Sequence, residues 1–170
     1  MKTVVLGPRP AELEELIERC RRFGQDLYDE VWEGTYHMAP APHSDDGHLD
    51  TELAAILAPL AKAAGMTSSG PLNIGHPDDY RVPDRAVLRE RQHATYVPTA
   101  AVVVEIVSPD DETFEKLPFC ADHGVDEVAI VEGRERRVRI FALTGPSYTE
   151  TGHSALLGIS AADLAERIDW

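Results

Sequence analysis

Ala101-Val102-Val103-Val104-Glu105-Ile106-Val107 is the stretch on which the reading of this chain turns. It is apolar at every position but one. A strand built from it has no wet face, which marks a central strand covered on both sides. Ser108-Pro109-Asp110 ends it. Glu105 is the exception, and a buried carboxylate is costly unless it is paired or bound to a cation. Either the strand is exposed at that point, or Glu105 pairs with an arginine, or it belongs to a polar site.

Working upstream, Asp84 to Leu88 reads as a short strand opening just after Pro83. Asp84 alone is an ordinary turn aspartate. If the two strands are neighbours, however, Asp84 and Glu105 reach the same edge of the sheet. Their oxygens then suit a hard divalent ion such as Mg2+. Such placement predicts carboxylates roughly 4–7 Å apart. Downstream, Asp111 to His123 reads as a helix interrupted at Pro118 and capped by Gly124. Lys116 on that helix can turn back toward the carboxylates or can be a solvated lysine. His48, opening another helix, and Glu33, in the Glu33-Gly34 turn, are accessory candidates for proton handling. His37, His43, His76, His93, His123 and His153 lack zinc spacing and read as surface residues.

The remaining pattern is helical at both ends with strands between. Pro10 opens a helix whose acidic residues come early and whose arginines come late, with Gly24 as its stop. Leu27 to Trp32 and Thr35 to Met38 read as a hairpin. Pro40 to Gly47 reads as a loop, and His48 to Ala64 as a helix that Pro59 can kink. Met66 to Ile74 is an interrupted strand. Glu127 to Val131 and Arg137 to Leu143 pair across a tight turn, and Tyr148 to Thr151 is an edge strand. Ser160 caps a last helix, Ala161 to Ile168. The expected fold is one α/β domain: a central mixed β-sheet of five or more strands flanked by helices. Residues 1–26 are expected as a helical extension and 27–170 as the main domain.

Composition narrows the function classes. The chain has 170 residues and a formal net charge of −14, from 16 Lys and Arg against 30 Asp and Glu. Such a surface opposes unspecific binding of a phosphate backbone, which rests on charge neutralisation. Arg134, Arg136, Arg137 and Arg139 form the one basic cluster, either a phosphate-facing patch or a solvated hairpin. Cys20 and Cys120 make no disulfide framework. The N-terminal apolar run is too short for a signal peptide, and no segment is long enough to span a membrane. The expectation is a cytoplasmic protein with reduced thiols. No P-loop, dinucleotide fingerprint or nucleophile elbow is present.

In order along residues 27–168, these segments resemble the Uma-two family of the PD-(D/E)xK nuclease superfamily. Glu33-Gly34-Thr35-Tyr36-His37-Met38-Ala39-Pro40 is similar to its acidic-Gly hairpin and Pro loop, and His48 to the histidine opening its helix. Val82-Pro83-Asp84 and Val103-Val104-Glu105-Ile106-Val107-Ser108-Pro109 are similar to its two strand motifs. Lys116 with Phe119 to Val125 resembles its lysine helix, and Gly158-Ile159-Ser160 its closing turn. The resemblance implies a restriction endonuclease-like fold. It also implies a metal-dependent endonuclease acting on DNA. Asp84 and Glu105 would be the Mg2+ or Mn2+ ligands and Lys116 the residue assisting the attacking water. The superfamily's usual lysine position, two residues past the glutamate, holds Val107, so Lys116 must stand in. The family's helix tyrosine is replaced by Phe119 or Cys120, and the aromatic after its helix by the run Glu127-Val128-Ala129-Ile130. A catalytically inactive binding or assembly protein on the same fold is the alternative. A metal-dependent hydrolase of a small phosphorylated substrate is a third reading. A homodimer is expected, since cleaving a duplex takes two sites and short edge strands call for cover.

Overall fold

A computed structural model describes the backbone of Thr3–Val5 and residues 10–108 and 112–170. The expected strand stop at Pro109-Asp110, the helix start at Asp111 and Leu6 of the N-terminal apolar run lie outside the described residues. In chain order the elements are β1 (Thr3–Val5), α1 (Ala11–Phe23), β2 (Glu30–Trp32), β3 (Thr35–Met38) and α2 (Ser44–Ala63). There follow β4 (Thr67–Ser69), β5 (Asn73–His76), β6 (Asp79–Arg81), β7 (Arg85–Leu88), β8 (Tyr96–Val97) and β9 (Val102–Ile106). A 3-10 turn over Thr113–Lys116 leads into α3 (Leu117–Asp122). The chain ends in β10 (Glu127–Glu132), β11 (Arg137–Thr144), β12 (Ser147–Glu150), β13 (His153–Ser154), β14 (Ile159–Ser160) and α4 (Ala161–Arg167).

The strands form two six-stranded sheets and a small two-stranded one. The first sheet has the order β1-β3-β2-β6-β5-β8 and the second the order β12-β11-β10-β9-β7-β4. In the second sheet β9 and β10 run parallel, and the other pairs are antiparallel. The link between the parallel strands carries the 3-10 turn and α3, as a parallel pair requires a crossover.

The alternation of β9 sorts the core. Val102, Val104 and Ile106 face one side, where Leu49, Leu53, Leu57 and Ala61 of α2 and Leu164 of α4 pack. Val103 faces the other side, with Phe119 and Cys120 of α3 and Ile74 and Val97 of the first sheet. The first sheet has its own cluster, Val31, Tyr36, Tyr80 and Val82, closed by Ile17 of α1. The segment expected as an N-terminal extension therefore supplies a core residue here, and β1 pairs with β3.

Three details differ from the sequence reading. Helix α2 starts one turn early, at Ser44, because the His43 ring accepts a hydrogen bond from the Asp45 N–H and Asp45 and Asp46 suit the positive helix end. The helix expected over Asp111–His123 is two pieces within its described part. Pro118 falls in the first turn of α3, where its missing N–H leaves nothing unpaired, so it starts a helix rather than breaking one. The interrupted strand over Met66–Ile74 divides between the two sheets as β4 and β5. Gly75 lets the first sheet approach α3: a Cβ there would lie 2.3 Å from the Asp79 carbonyl oxygen and 3.0 Å from the Phe119 ring.

Candidate active site

The register of β7 and β9 places Arg85 opposite Val104 and Ala86 opposite Val103. One step further, Asp84 stands opposite Glu105. Both are two residues on from the Ala86–Val103 pair, which packs on the α3 side, so both side chains project to that side. Asp84 Oδ2 accepts a 2.7 Å hydrogen bond from the Ile106 N–H, which fixes its carboxylate at the strand end.

Lys116 arrives from the joint between the 3-10 turn and α3. Its Nζ donates to both oxygens of Glu105, at 3.1 and 2.9 Å. The same ammonium lies 2.9 Å from Oε1 of Glu30, a residue of β2 in the other sheet. Glu30 is held rigidly. The Val82 N–H donates to its Oε1 at 2.9 Å and the Trp32 indole N–H to its Oε2 at 2.7 Å. Glu30, Glu105 and Lys116 are all buried, at 2%, 5% and 7% exposure.

This packing perturbs the ionisations. Burial pushes the Glu105 carboxyl up to about 8; Lys116 opposes the rise, while Asp84 and Glu30 add to it. Burial alone would pull Lys116 down, but Glu105 and Glu30 outweigh it and hold the ammonium above its ordinary value. Cys120, behind the pair, is pushed up to about 12 chiefly by burial.

Arg81 braces the segment that presents Asp84. Its guanidinium lies 4.3 Å from the Trp32 ring centre and 4.1 Å from that of Phe119, and it donates to the Val31 carbonyl at 2.7 Å. The aromatic bracing thus comes from Trp32 and Phe119, on elements of both sheets' surroundings.

The cluster opens into a cavity of about 440 Å³, whose wall also includes Tyr28, Pro40, Pro42, Asp46 and Asp50. Two sequence candidates lie elsewhere. Glu33 is exposed in the β2–β3 turn, where its own N–H donates to Asp79. His48 is exposed and turned toward the C-terminus, its Nε2 2.7 Å from the Asp169 carbonyl oxygen. Neither lines the cavity, because the turn carries Glu33 past the end of the hairpin and His48 sits beside the pocket-lining face of α2. Glu30 was missed, although it alternates with buried Val31 and shares a strand face with Trp32. His37, expected at the surface, is buried and stacks on Trp32 at 4.7 Å between ring centres. Two of the hairpin arginines are paired: Arg137 binds Glu132 and Arg139 binds Glu150 of β12, each at 2.6 Å.

The donor set fits a hard cation. Glu30 and Glu105 share one ammonium, and Asp84 and Glu30 raise Glu105 through space, so the site gathers carboxylate oxygens around a single positive charge. Among the described residues no three His, Cys, Asp or Glu side chains gather to hold a metal. A two-carboxylate site completed by water matches the habit of Mg2+, which keeps several waters. Cys20 and Cys120 are free thiols, and no described helix is long and apolar enough to cross a membrane.

The sequence matches the Uma2 family, described as "putative restriction endonuclease", over residues 12–165. Among solved structures, the chain is similar to "a putative nuclease belonging to DUF820" from Anabaena variabilis, with a TM-score of 0.65 and 17% identity, covering 82% of this chain and 90% of that one. No curated protein matches it. At that identity the likeness carries the fold, which is restriction endonuclease-like: mixed sheets flanked by helices.

Proposed function

Because this chain belongs to the Uma2 family of restriction endonuclease-like proteins, we propose that it is a metal-dependent endonuclease that hydrolyses DNA phosphodiester bonds. One observation carries the reading: two carboxylates face each other across adjacent strand ends, with a buried lysine beside them, at the mouth of a cavity. Asp84 and Glu105 would hold Mg2+ or Mn2+. When bound, the ion supplies Lewis-acid stabilisation of the phosphate and a more acidic water.

The chain's own groups do the rest. Asp84 is fixed by the Ile106 N–H, so its orientation needs no reorganisation during the reaction. Lys116 keeps its charge between two carboxylates, and a donor turned from Glu105 would serve the attacking water and the developing negative charge. Pro40 and Pro42 form part of the cavity wall beside these groups.

The test pairs metal calorimetry with cleavage of labelled single- and double-stranded DNA at low salt, where an acidic protein is least hindered by missing positive charge. Asp84→Ala and Glu105→Ala should abolish both metal binding and cleavage. Lys116→Ala should keep metal binding and cost about 10²-fold or more in rate. Metal binding without cleavage moves the chain to the alternative, a binding or assembly protein on this fold. Equal residual cleavage by wild type and Glu105→Ala, with no metal bound, refutes the nuclease reading.

A further inference from the structure

The geometry points to Glu30 as a second seat for Lys116, a positioning residue that receives the ammonium when Glu105 turns to a divalent cation. The inference rests on the metal reading of Asp84 and Glu105 and adds a residue to it.

Both oxygens of Glu105 are taken up by Lys116, at 3.1 and 2.9 Å. A cation on Glu105 must therefore share an oxygen with the ammonium or displace it. An ammonium left in this buried place with no counter-charge opposes metal binding. Glu30 removes that obstacle. Its Oε1 is already 2.9 Å from Nζ, so Lys116 keeps a charged partner while it withdraws from Glu105. The seat does not move, since the Val82 N–H and the Trp32 indole hold both Glu30 oxygens from the other sheet. A lysine has three donors on a rotatable head, which suits a transfer between two acceptors better than a planar guanidinium does.

A carboxylate near a cation also attracts it through space, so the test separates seat from field. Glu30→Asp keeps the charge and withdraws the carboxylate by one methylene. Glu30→Gln keeps the length and removes the charge. Mn2+ binding is measured by calorimetry for each, in the wild-type and in the Lys116→Met backgrounds, with circular dichroism to confirm folding. Glu30→Asp should weaken Mn2+ binding about tenfold in the wild-type background, the scale of one hydrogen bond to a charged group. In Lys116→Met, which has no ammonium to reseat, it should change binding less than about twofold. Glu30→Gln should lose about tenfold more in the wild-type background than in Lys116→Met. Equal losses in the two backgrounds overturn the inference and leave Glu30 as a source of field or of structure. Failure of wild type to bind Mn2+ overturns the metal reading itself, a distinct result.

Discussion

Replacing Lys116 by methionine should destabilise this protein strongly. The variant retains the length of the side chain and its packing against α3, but leaves Glu105 and Glu30 facing one another at 5% and 2% exposure. Each would lose a contact of 2.9 Å to the ammonium. Breaking a buried ion pair from one side costs about 3–5 kcal/mol, because the remaining charge is stranded. For a chain of this size each kcal/mol lowers Tm by about 2–4 °C, so the expected fall is on the order of 6–20 °C. Urea and thermal unfolding followed by circular dichroism at pH 7 read it directly. The double variant Lys116→Met with Glu105→Gln should regain part of the loss, since it removes the repulsion of Glu105 by Glu30 and Asp84. A loss below about 1 kcal/mol in the single variant, the range of an exposed ion pair, would refute the buried cluster. So would a double variant no more stable than the single one.

Asp79, held below its ordinary value despite burial by the Glu33 N–H and Arg81, contributes stability that is present above pH 3.8 and lost as pH falls through its lower folded value; Asp79→Asn should cost roughly 1 kcal/mol at neutral pH and flatten the acid limb of a pH–stability curve. Cys120, buried and pushed up to about 12, should stay silent to a thiol reagent at pH 8 until the protein is denatured, whereas half-buried Cys20 reacts in the native state; two equally fast thiols would contradict the packing behind α3. Light scattering at micromolar concentration should give twice the 18.7 kDa chain mass, since β12 leaves an edge of the second sheet open to a second copy; a monomer there counts against pairing.

How far the sequence could be read depended on whether a residue's meaning was local. The β9 stretch announced itself, because an apolar run with one carboxylate has few structural homes. Asp84 followed from the shared edge of neighbouring strands. Lys116 is legible only as a possibility, because its direction depends on the 3-10 turn before α3, and Pro118 reads in sequence as a break although it starts α3. Glu30 was illegible: nothing within β2 says that its side chain crosses to the other sheet's lysine. Glu33 drew attention instead because a Gly turn is visible in sequence while a crossing between layers is not. His37 read as a surface residue because its stacking partner, Trp32, lies across the hairpin.

The crossing has a bearing on how small this machine can be made. Glu105 and Lys116 sit on and beside the second sheet, and a protein engineer would see there a compact unit to excise. Glu30 and the Trp32 and Val82 groups that fix it belong to the first sheet or to the strand leading out of it. A trimmed chain lacking that layer would carry a lysine with one partner fewer and Asp84 without the Arg81 brace stacked on Trp32. The smallest transplantable piece is therefore both layers together, and shuffling the N-terminal hairpin between relatives would exchange half of the charge balance along with the scaffold.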